Sequence, residues 1–220
     1  MEQNFSQNFD IMTIWGKPDM GDRKGTFGIH YRGINCVKCP FDWVMYQMIL
    51  HEVQPDLLIE IGSYQGGSAL MFSDLMRMYN PNAMVHTVDI AGAEVLPSHP
   101  MVTQNPGIKC FDTGYQGYPL EEAVGFSRIM VIDDGSHLYT DCVSAFDRLN
   151  HLVGPDSYYV IEDGMMSINP AWEMQFGGGP WRATLDLLEQ NPEWETDRKW
   201  CDFFGQNATF NPDGYLRRKR

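Results

Sequence analysis

Two short apolar runs of this 220-residue chain each end in a pair of acidic side chains, and a histidine follows the first pair. In chain order, these five residues are Asp133, Asp134, His137, Glu162 and Asp163. Short continuous apolar runs are typical of parallel strands that are buried on both faces. Open α/β sheets bind their ligands just beyond the carboxyl ends of such strands. We therefore expect four carboxylates and an imidazole to meet at one edge of a sheet.

A divalent cation would explain why acids gather at that edge. Carboxylates that lie close together repel one another, and they do not all stay ionised unless a cation compensates their charge. A hard ion such as Mg²⁺ prefers oxygen ligands, so we interpret the acids as a metal site. The alternative is that they cap the helices that follow, which is a common role for aspartate after a strand. The presence of two such acidic ends favours the metal.

A glycine-rich turn, GSYQGGS at 62–68, follows an earlier apolar run at 56–61. Its glycines are spaced G-x-x-x-G-G, which differs from the dinucleotide-binding fingerprint. Gly62 would still allow a tight turn after a strand, and Gly66 and Gly67 would let the backbone approach a ligand at the start of a helix. A strand, a glycine-rich turn and a helix together predict the beginning of a nucleotide-binding α/β sheet.

Two acids near this turn indicate what kind of ligand it holds. Asp89 lies at the end of the next predicted strand, where an acid accepts hydrogen bonds from ribose hydroxyls. The alternative for Asp89 is a turn-forming aspartate. Glu60, in the strand before the turn, suits a cationic sulfonium ligand. A pyrophosphate would favour a lysine or arginine, which the turn lacks.

The elements that position these residues follow from hydrophobic spacing. Helices are predicted over residues 41–53, 69–78, 119–124, 139–153 and 181–189. Strands are predicted over 56–61, 83–90, 107–111, 129–132 and 157–161, and an antiparallel pair over 194–198 and 208–217 closes the sheet. We expect loops over 92–106 and 164–181, the second being a lid with hinge freedom at Gly177–Gly179. Residues 1–40 are predicted to form an irregular arm, and residues 41–220 a single domain.

Composition excludes several classes of protein. The chain has 16 basic and 29 acidic residues, and its net charge of −13 would repel nucleic acid. No apolar stretch approaches the roughly 20 residues of a membrane span, and the amino terminus lacks an export signal, so we expect a cytoplasmic location. The five cysteines are scattered and should be reduced. Cys36 and Cys39 form a single CxxC without a second pair, which is weak support for zinc or redox use.

Several segments together resemble the family of cephalosporin hydroxylases and rhamnosyl O-methyltransferases. They are RGINCVKCPFDWVMYQ, LIEIGSYQGGSAL, DDGSH, VIED and TFNPDGYLRR. The chain is also similar, more distantly, to metal-dependent macrolide-sugar O-methyltransferases. The likeness runs from about Tyr31 to the carboxyl terminus. It implies an α/β, Rossmann-like class I methyltransferase fold, whose mostly parallel seven-stranded sheet ends in an antiparallel hairpin.

The resemblance also implies roles for individual residues. S-adenosylmethionine is expected against Glu60, Gly62, Ser63, Gln65, Gly66, Gly67, Ser68, Asp89, Asp112 and Asp133, with Asp112 near its adenine. Asp134, Glu162 and Asp163 match the metal ligands of the sugar methyltransferases, and His137 matches their base. The metal would be Mg²⁺ or another hard divalent cation.

These observations predict a metal-dependent O-methyltransferase acting on a hydroxyl or diol of a sugar or secondary metabolite, and assembling as a homo-oligomer. The metal would lower the pKa of a coordinated hydroxyl, and Asp134 and His137 would be the catalytic residues, with His137 taking the proton. The alternatives are an oxygenase of the cephalosporin hydroxylase type and a non-catalytic, cofactor-binding accessory subunit of a methoxylation system. A non-haem iron oxygenase needs two histidines and a carboxylate, and only His137 lies near the acids in the sequence.

Overall fold

The computed structural model describes residues 14–16, 25–89 and 97–220, and the account that follows concerns those residues. The strands are β1 (His30–Tyr31), β2 (Ile34–Asn35), β3 (Leu57–Ile61), β4 (Met84–Val88), β5 (Ile108–Phe111), β6 (Ile129–Asp133), β7 (Tyr159–Ile161), β8 (Trp194–Thr196) and β9 (Tyr215–Arg218). The α-helices are α1 (Pro40–Val53), α2 (Gly67–Arg77), α3 (Pro100–Thr103), α4 (Gly114–Gly117), α5 (Tyr139–Leu149), α6 (Pro170–Gln175), α7 (Gly179–Gln190) and α8 (Arg198–Cys201). Turns of 3₁₀ helix cover Gly25–Gly28, Leu120–Ala123, Asn150–Leu152 and Gly164–Ile168.

Seven strands form one sheet in the order β5-β4-β3-β6-β7-β9-β8. The first five of these are parallel, whereas β9 runs antiparallel to both β7 and β8. The chain moves outward from β3 to β5 and then returns to place β6 on the other side of β3. Such a reversal leaves a crevice at the carboxyl ends of the two central strands, where α/β sheets bind ligands.

The sheet has a hydrophobic layer on each face. Both β3 and β6 bury all five of their residues, which is why apolar residues run along them without alternation, apart from Glu60 in β3 and Asp133 in β6. Helices α1 and α2 cover one face with side chains that include Tyr46, Ile49 and Phe72. Helices α5 and α7 cover the other face, where Phe146 and Leu187 are buried. The predicted α/β fold, with its antiparallel final strands, is confirmed.

Most predicted elements lie within two residues of their observed positions. Helix α1 begins at Pro40, whose fixed φ suits the first turn, and it ends before Gln54, which adopts a left-handed conformation. The helix expected over 139–153 ends earlier, at Leu149, and continues as a 3₁₀ turn. The segment 119–124 is also a 3₁₀ turn rather than an α-helix. The final strand begins at Tyr215, later than expected.

The segment 164–181 is not the structureless loop expected from the sequence. It contains a 3₁₀ turn and helix α6, and Met165 and Met166 are buried against Phe210. The two methionines therefore belong to a small core cluster, and the role of the segment as a lid stays a prediction. Likewise, the expected loop over 92–106 contains α3 in its described part, and residues 90–96 lie outside the described residues.

The amino-terminal arm is more regular than the sequence indicates. Its described part includes the antiparallel pair of β1 and β2, while residues 1–13 and 17–24 lie outside the described residues. All five cysteines are free, and burial raises the pKa of both the Cys36 and the Cys39 thiol to about 12. Within the described part of the chain, no helix is long and apolar enough to cross a membrane.

A buried histidine in β4 should make stability depend on pH. The ring of His86 is 2% exposed, its Nδ1 lies 2.7 Å from the Tyr118 hydroxyl, and burial lowers its pKa from 6.5 to about 4, with a further lowering by Lys109. The unfolded chain therefore takes up a proton before the folded protein does. Stability that is fully present above pH 6.5 is lost as the pH falls towards 4.

We expect the wild type to lose about 1–2 kcal/mol more unfolding free energy between pH 7 and pH 5 than the His86→Gln variant loses. Denaturant unfolding of both proteins at the two pH values measures the difference. Equal losses would show that His86 does not contribute to the pH dependence.

Candidate active site at the carboxyl ends of the central strands

A cavity of about 460 Å³ opens where β3, β4, β6 and β7 end. Its size is within the usual range for sites that hold a small molecule or cofactor. It is lined by Trp15, Phe27, Asn35, Cys36, Val37, Gly62, Ser63, Tyr64, Gly67, Ser68, Asp89, Asp134, Gly135, His137, Asp163 and Met166. The cavity therefore brings together the predicted glycine-rich turn and most of the predicted acidic edge.

Strand register explains how the acids meet. The Asp134 amide donates to the Ile61 carbonyl and the Glu162 amide donates to the Asp133 carbonyl, both at 2.9 Å. Asp134 and Glu162 are therefore level with one another, on neighbouring strands. Side chains alternate along a strand, so Asp133 points to the opposite face, where Cys142 and Tyr159 surround it.

Asp134, His137 and Asp163 form a cluster of possible metal ligands. One donor atom from each lies within 4.8 Å of the other two. The His137 Nε2 is 3.6 Å from the Asp163 Oδ2 and 4.0 Å from the Asp134 Oδ1. Carboxylate oxygens and an imidazole nitrogen are donors that suit Mg²⁺ or Mn²⁺. The donor set therefore fits a hard divalent cation.

The electrostatics of the cluster also favour a bound cation. Burial raises the pKa of both the Asp134 and the Asp163 carboxyl, and each has another carboxylate nearby that raises it further. A bound cation would favour the ionised form of both groups. His137 and Asp163 also have positive φ values of 59° and 57°, an uncommon conformation for residues other than glycine that is concentrated at functional sites.

Glu162 is placed differently from the other two predicted ligands. Its Oε2 accepts a hydrogen bond from the Lys38 ammonium at 2.7 Å, and its Oε1 accepts one from the Tyr46 hydroxyl at 2.5 Å. The Lys38 ammonium also contacts the Asp134 Oδ2 at 2.6 Å. Burial raises the pKa of Glu162 to about 7, although Lys38 acts in the opposite direction. The structure thus brings Glu162 to the acidic edge but outside the cluster, and its role as a ligand stays a prediction.

Five of the ten residues predicted to bind a cofactor line the cavity, namely Gly62, Ser63, Gly67, Ser68 and Asp89. The Asp89 Oδ2 accepts hydrogen bonds from the backbone amides of Ser63 and Tyr64, which fixes the turn against the end of β4. A turn without basic side chains, next to an acidic strand end, fits a ligand that carries positive charge and ribose hydroxyls.

The other five predicted cofactor residues do not line this cavity. They are Glu60, Gln65, Gly66, Asp112 and Asp133. Glu60 is fully buried beneath the turn and accepts a hydrogen bond from Thr87, and burial raises its pKa to about 7. Asp112 lines an adjacent pocket with Gln116 and Asp141. Asp133 is buried on the opposite face, as described above.

The glycines of the turn also allow neighbouring segments of the protein to approach closely. A Cβ atom on Gly62 would lie 2.0 Å from the Asp134 carbonyl oxygen, and one on Gly67 would lie 2.2 Å from the Asn35 carbonyl oxygen. At Gly66, φ is +82° and a Cβ would lie 2.8 Å from Pro97. Neighbouring protein therefore occupies the space that a side chain at each of these positions would need, and their role in cofactor binding stays a prediction.

Aromatic residues of the amino-terminal arm line the cavity on one side. Trp15 and Phe27 pack edge to face at 5.3 Å, and Trp15 also contacts Trp172. The sequence analysis did not identify Lys38, although it lies between the two cysteines in the segment that carried the family resemblance. The sequence feature that could have drawn attention to it is a lysine two residues before a helix that begins with proline.

Comparison with known proteins adds a family match. A family model described as Rhamnosyl O-methyltransferase/CmcI matches residues 24–219. The Rhamnosyl O-methyltransferase of Mycobacterium leprae (strain TN) is 30% identical over 196 residues, covering 86% of this chain and 82% of that protein. The protein of the same name from Mycobacterium tuberculosis (strain ATCC 25618 / H37Rv) is 29% identical over 193 residues, covering 84% and 76% respectively.

Solved structures show the same fold. A structure of CmcI with Mg and SAM superposes with a TM-score of 0.64 at 19% sequence identity, covering 99% of this chain and 88% of that one. At this identity the likeness concerns the fold.

The packing of Gly62 against β6 predicts a large loss of stability on substitution. Gly62→Ala would place a methyl group against the Asp134 carbonyl, in addition to the strain of an alanine at a φ of +95°. Gly125→Ala is the matched control, because its φ of +99° imposes a similar strain but nothing lies within 4 Å of the added atom. We expect Gly62→Ala to lower the unfolding free energy by about 2 kcal/mol more than Gly125→Ala does. Equal effects in denaturant unfolding would contradict this account.

Proposed function

The chain belongs to the Rhamnosyl O-methyltransferase/CmcI family, and from that premise we propose that it is a divalent-metal-dependent O-methyltransferase. It would use S-adenosylmethionine to methylate a hydroxyl of a sugar or secondary metabolite. The observation that carries the proposal is the convergence of Asp134, His137 and Asp163 beside the glycine-rich turn, in a single cavity.

The methyl donor would occupy the part of the cavity formed by the turn and the end of β4. When bound, S-adenosylmethionine supplies an electrophilic methyl group on a sulfonium. Asp89 would accept hydrogen bonds from the ribose hydroxyls, and the buried carboxylate of Glu60 would add negative charge beneath the turn. Ser63 and Ser68 line the same region. Their hydroxyl hydrogens are directed to Thr87 and Glu60, so their oxygens can accept hydrogen bonds from the polar end of the ligand. Asp112, in the adjacent pocket, would lie towards the adenine.

A divalent cation would be held by the acidic edge. Asp134, Asp163 and Glu162 are the proposed ligands, and the ion would lower the pKa of an acceptor hydroxyl bound to it. Burial raises the pKa of each of the three carboxyl groups, so a bound cation would favour their ionised forms. To bind the ion, Glu162 must share its carboxylate with the Lys38 ammonium or replace that hydrogen bond with a bond to the ion.

His137 would take the proton from the acceptor hydroxyl. Its side chain is 19% exposed, lines the cavity, and packs edge to face against Phe176 with ring centroids 6.0 Å apart. Neutral imidazole is the common proton acceptor near pH 7. The positive φ of His137 directs it back towards Asp163 and Asp134, so the proton acceptor and the proposed metal ligands converge on one small volume.

The acceptor is proposed to be a small molecule with a free hydroxyl or vicinal diol. Trp15, Phe27 and Met166 give the cavity an apolar wall opposite the acids, which suits the apolar face of a sugar ring or a polyketide. The relatives named for a rhamnosyl group support a sugar. A homo-oligomeric state, a cytoplasmic location and a role in natural product or polysaccharide biosynthesis stay predictions.

The iron oxygenase alternative is not supported by the cluster. Among the described residues, the group that could hold a metal contains one histidine and two carboxylates, whereas a facial triad needs two histidines. The accessory-subunit alternative differs from our proposal in one outcome, because such a subunit would bind the cofactor without methyl transfer.

The first test uses S-adenosylhomocysteine in calorimetry, followed by methyl transfer to a panel of diol-bearing glycosides. We expect binding, transfer to at least one glycoside, loss of transfer with EDTA, and recovery with Mg²⁺. Asp163→Asn should weaken Mg²⁺ binding at least about tenfold, because it removes a ligand charge. Asp156→Asn, in an exposed acid away from the cavity, is the control. Transfer that is unaffected by EDTA would refute the metal, and binding without transfer to any acceptor would favour the accessory subunit.

The second test separates a base from a ligand at His137. We expect His137→Ala to lower kcat about 10²–10⁴-fold, as loss of a general base does, and to change Mg²⁺ affinity little. Single-turnover methyl transfer and Mg²⁺ calorimetry on the same variant measure the two quantities. Loss of Mg²⁺ affinity comparable to that of Asp163→Asn would show instead that His137 is a metal ligand.

A further inference from the structure

The most unusual feature of the acidic edge is a lysine inside it. The Lys38 side chain is 2% exposed, and its ammonium lies 2.6 Å from the Asp134 Oδ2 and 2.7 Å from the Glu162 Oε2. It is held there because the segment between β2 and α1 passes close to the turn, with the Asn35 carbonyl directly against Gly67. The ammonium therefore occupies a position between two carboxylates that are 28 residues apart in the sequence.

Lys38 is charged in this position. Its ammonium lies within hydrogen-bond distance of two carboxylates, and it forms an ion pair with each of them. One ammonium does not balance all three carboxyl groups of Asp134, Glu162 and Asp163. The acidic edge therefore keeps negative charge that a divalent cation could compensate.

We propose that Lys38 is a built-in competitor of the divalent metal ion, because its ammonium binds the same two carboxylates, Asp134 and Glu162, that belong to the proposed ligand set. The inference rests on the proposed function. In the metal-free protein, Lys38 neutralises part of the acidic edge and keeps these carboxylates in place. When the ion binds, it must share Asp134 and Glu162 with the ammonium or displace it, and its affinity is lower for that reason.

The expected size of the effect follows from the charges. Two cations bound to one carboxylate are roughly 5 Å apart, and their repulsion weakens binding about tenfold even at the dielectric constant of water. Removing the ammonium should therefore tighten metal binding. A lysine that only supported the ligands would have the opposite effect, because its removal would disorder them and weaken binding.

The test measures Mg²⁺ binding to the metal-free protein by calorimetry, without cofactor or acceptor. We expect Lys38→Met to bind Mg²⁺ at least about tenfold more tightly than the wild type. It should also show a larger rise in melting temperature when Mg²⁺ is added. Lys38→Arg keeps the charge and should remain within about threefold of the wild type. Unchanged or weaker binding by Lys38→Met, or equal tightening by Lys38→Arg, would overturn the proposal.

A second pair of variants covers the case in which Lys38→Met does not fold. Removing one partner of a buried ion pair leaves an uncompensated charge, whereas replacing both partners is tolerated better. The comparison is then Glu162→Gln against Lys38→Met/Glu162→Gln, in which Asp134 is the remaining partner of Lys38. The double variant should bind Mg²⁺ at least about tenfold more tightly than the single variant. Equal or weaker binding would again overturn the proposal.

Asp163→Asn distinguishes failure of this inference from failure of the proposed metal site. Asp163 belongs to the cluster of possible metal ligands, whereas the hydrogen bonds of the Lys38 ammonium to carboxylates in the described part of the chain go to Asp134 and Glu162. If Asp163→Asn loses Mg²⁺ affinity and Lys38→Met does not gain it, the metal site stands and the competition is refuted. If Asp163→Asn binds Mg²⁺ like the wild type, the proposed site itself is wrong.

Discussion

The central constraint on this structure is electrostatic. The register of β6 and β7 places acidic side chains next to one another, and their negative charge must be compensated. In a parallel sheet, the residues that follow neighbouring strands lie level with one another, so Asp134 and Glu162 cannot avoid proximity once β6 and β7 pair. Burial then raises the energetic cost of their ionised forms. Two buried groups from the segment that precedes β3 stabilise these carboxylates. The Lys38 ammonium contacts both, and the Tyr46 hydroxyl donates a hydrogen bond to Glu162.

That solution fixes the packing around the site. Tyr46 lies in α1, so the helix that covers one face of the sheet is also hydrogen-bonded to its carboxyl edge. Asn211 extends the network, because its side chain donates to the Tyr46 hydroxyl and accepts from the Asp163 amide. In addition, Asp42 accepts from the Thr209 hydroxyl and the Phe210 amide. Helix α1 and the segment before β9 are therefore held together by buried polar contacts, which require complete pairing to be tolerated.

The fold was accessible from the sequence because its signals are local. A continuous apolar run such as residues 129–132 and a proline at the start of α1 each specify an element without knowledge of distant residues. The same locality explains the errors. Met165 and Met166 occupy a stretch rich in loop-forming residues, and their burial depends on Phe210, more than 40 residues away. The convergence of Asp134, His137 and Asp163 was predictable from strand ends, whereas the partners of Glu162 were not, since Lys38 is 124 residues distant.

A cation supplied by the protein has consequences that a purely acidic site would not have. Three clustered carboxylates, of which Glu162 is buried and Asp134 and Asp163 are partly buried, would without a counter-ion make the fold depend on a bound metal, as in small proteins that are unfolded without one. Lys38 reduces that dependence, because it already forms ion pairs with Asp134 and Glu162 when no metal is bound. The same contacts would oppose the proposed metal ion, because the ion would compete with the Lys38 ammonium for shared carboxylate oxygens. Stability of the metal-free protein and tight metal binding are therefore in conflict at this edge. The position of Lys38 indicates that the fold favours the first.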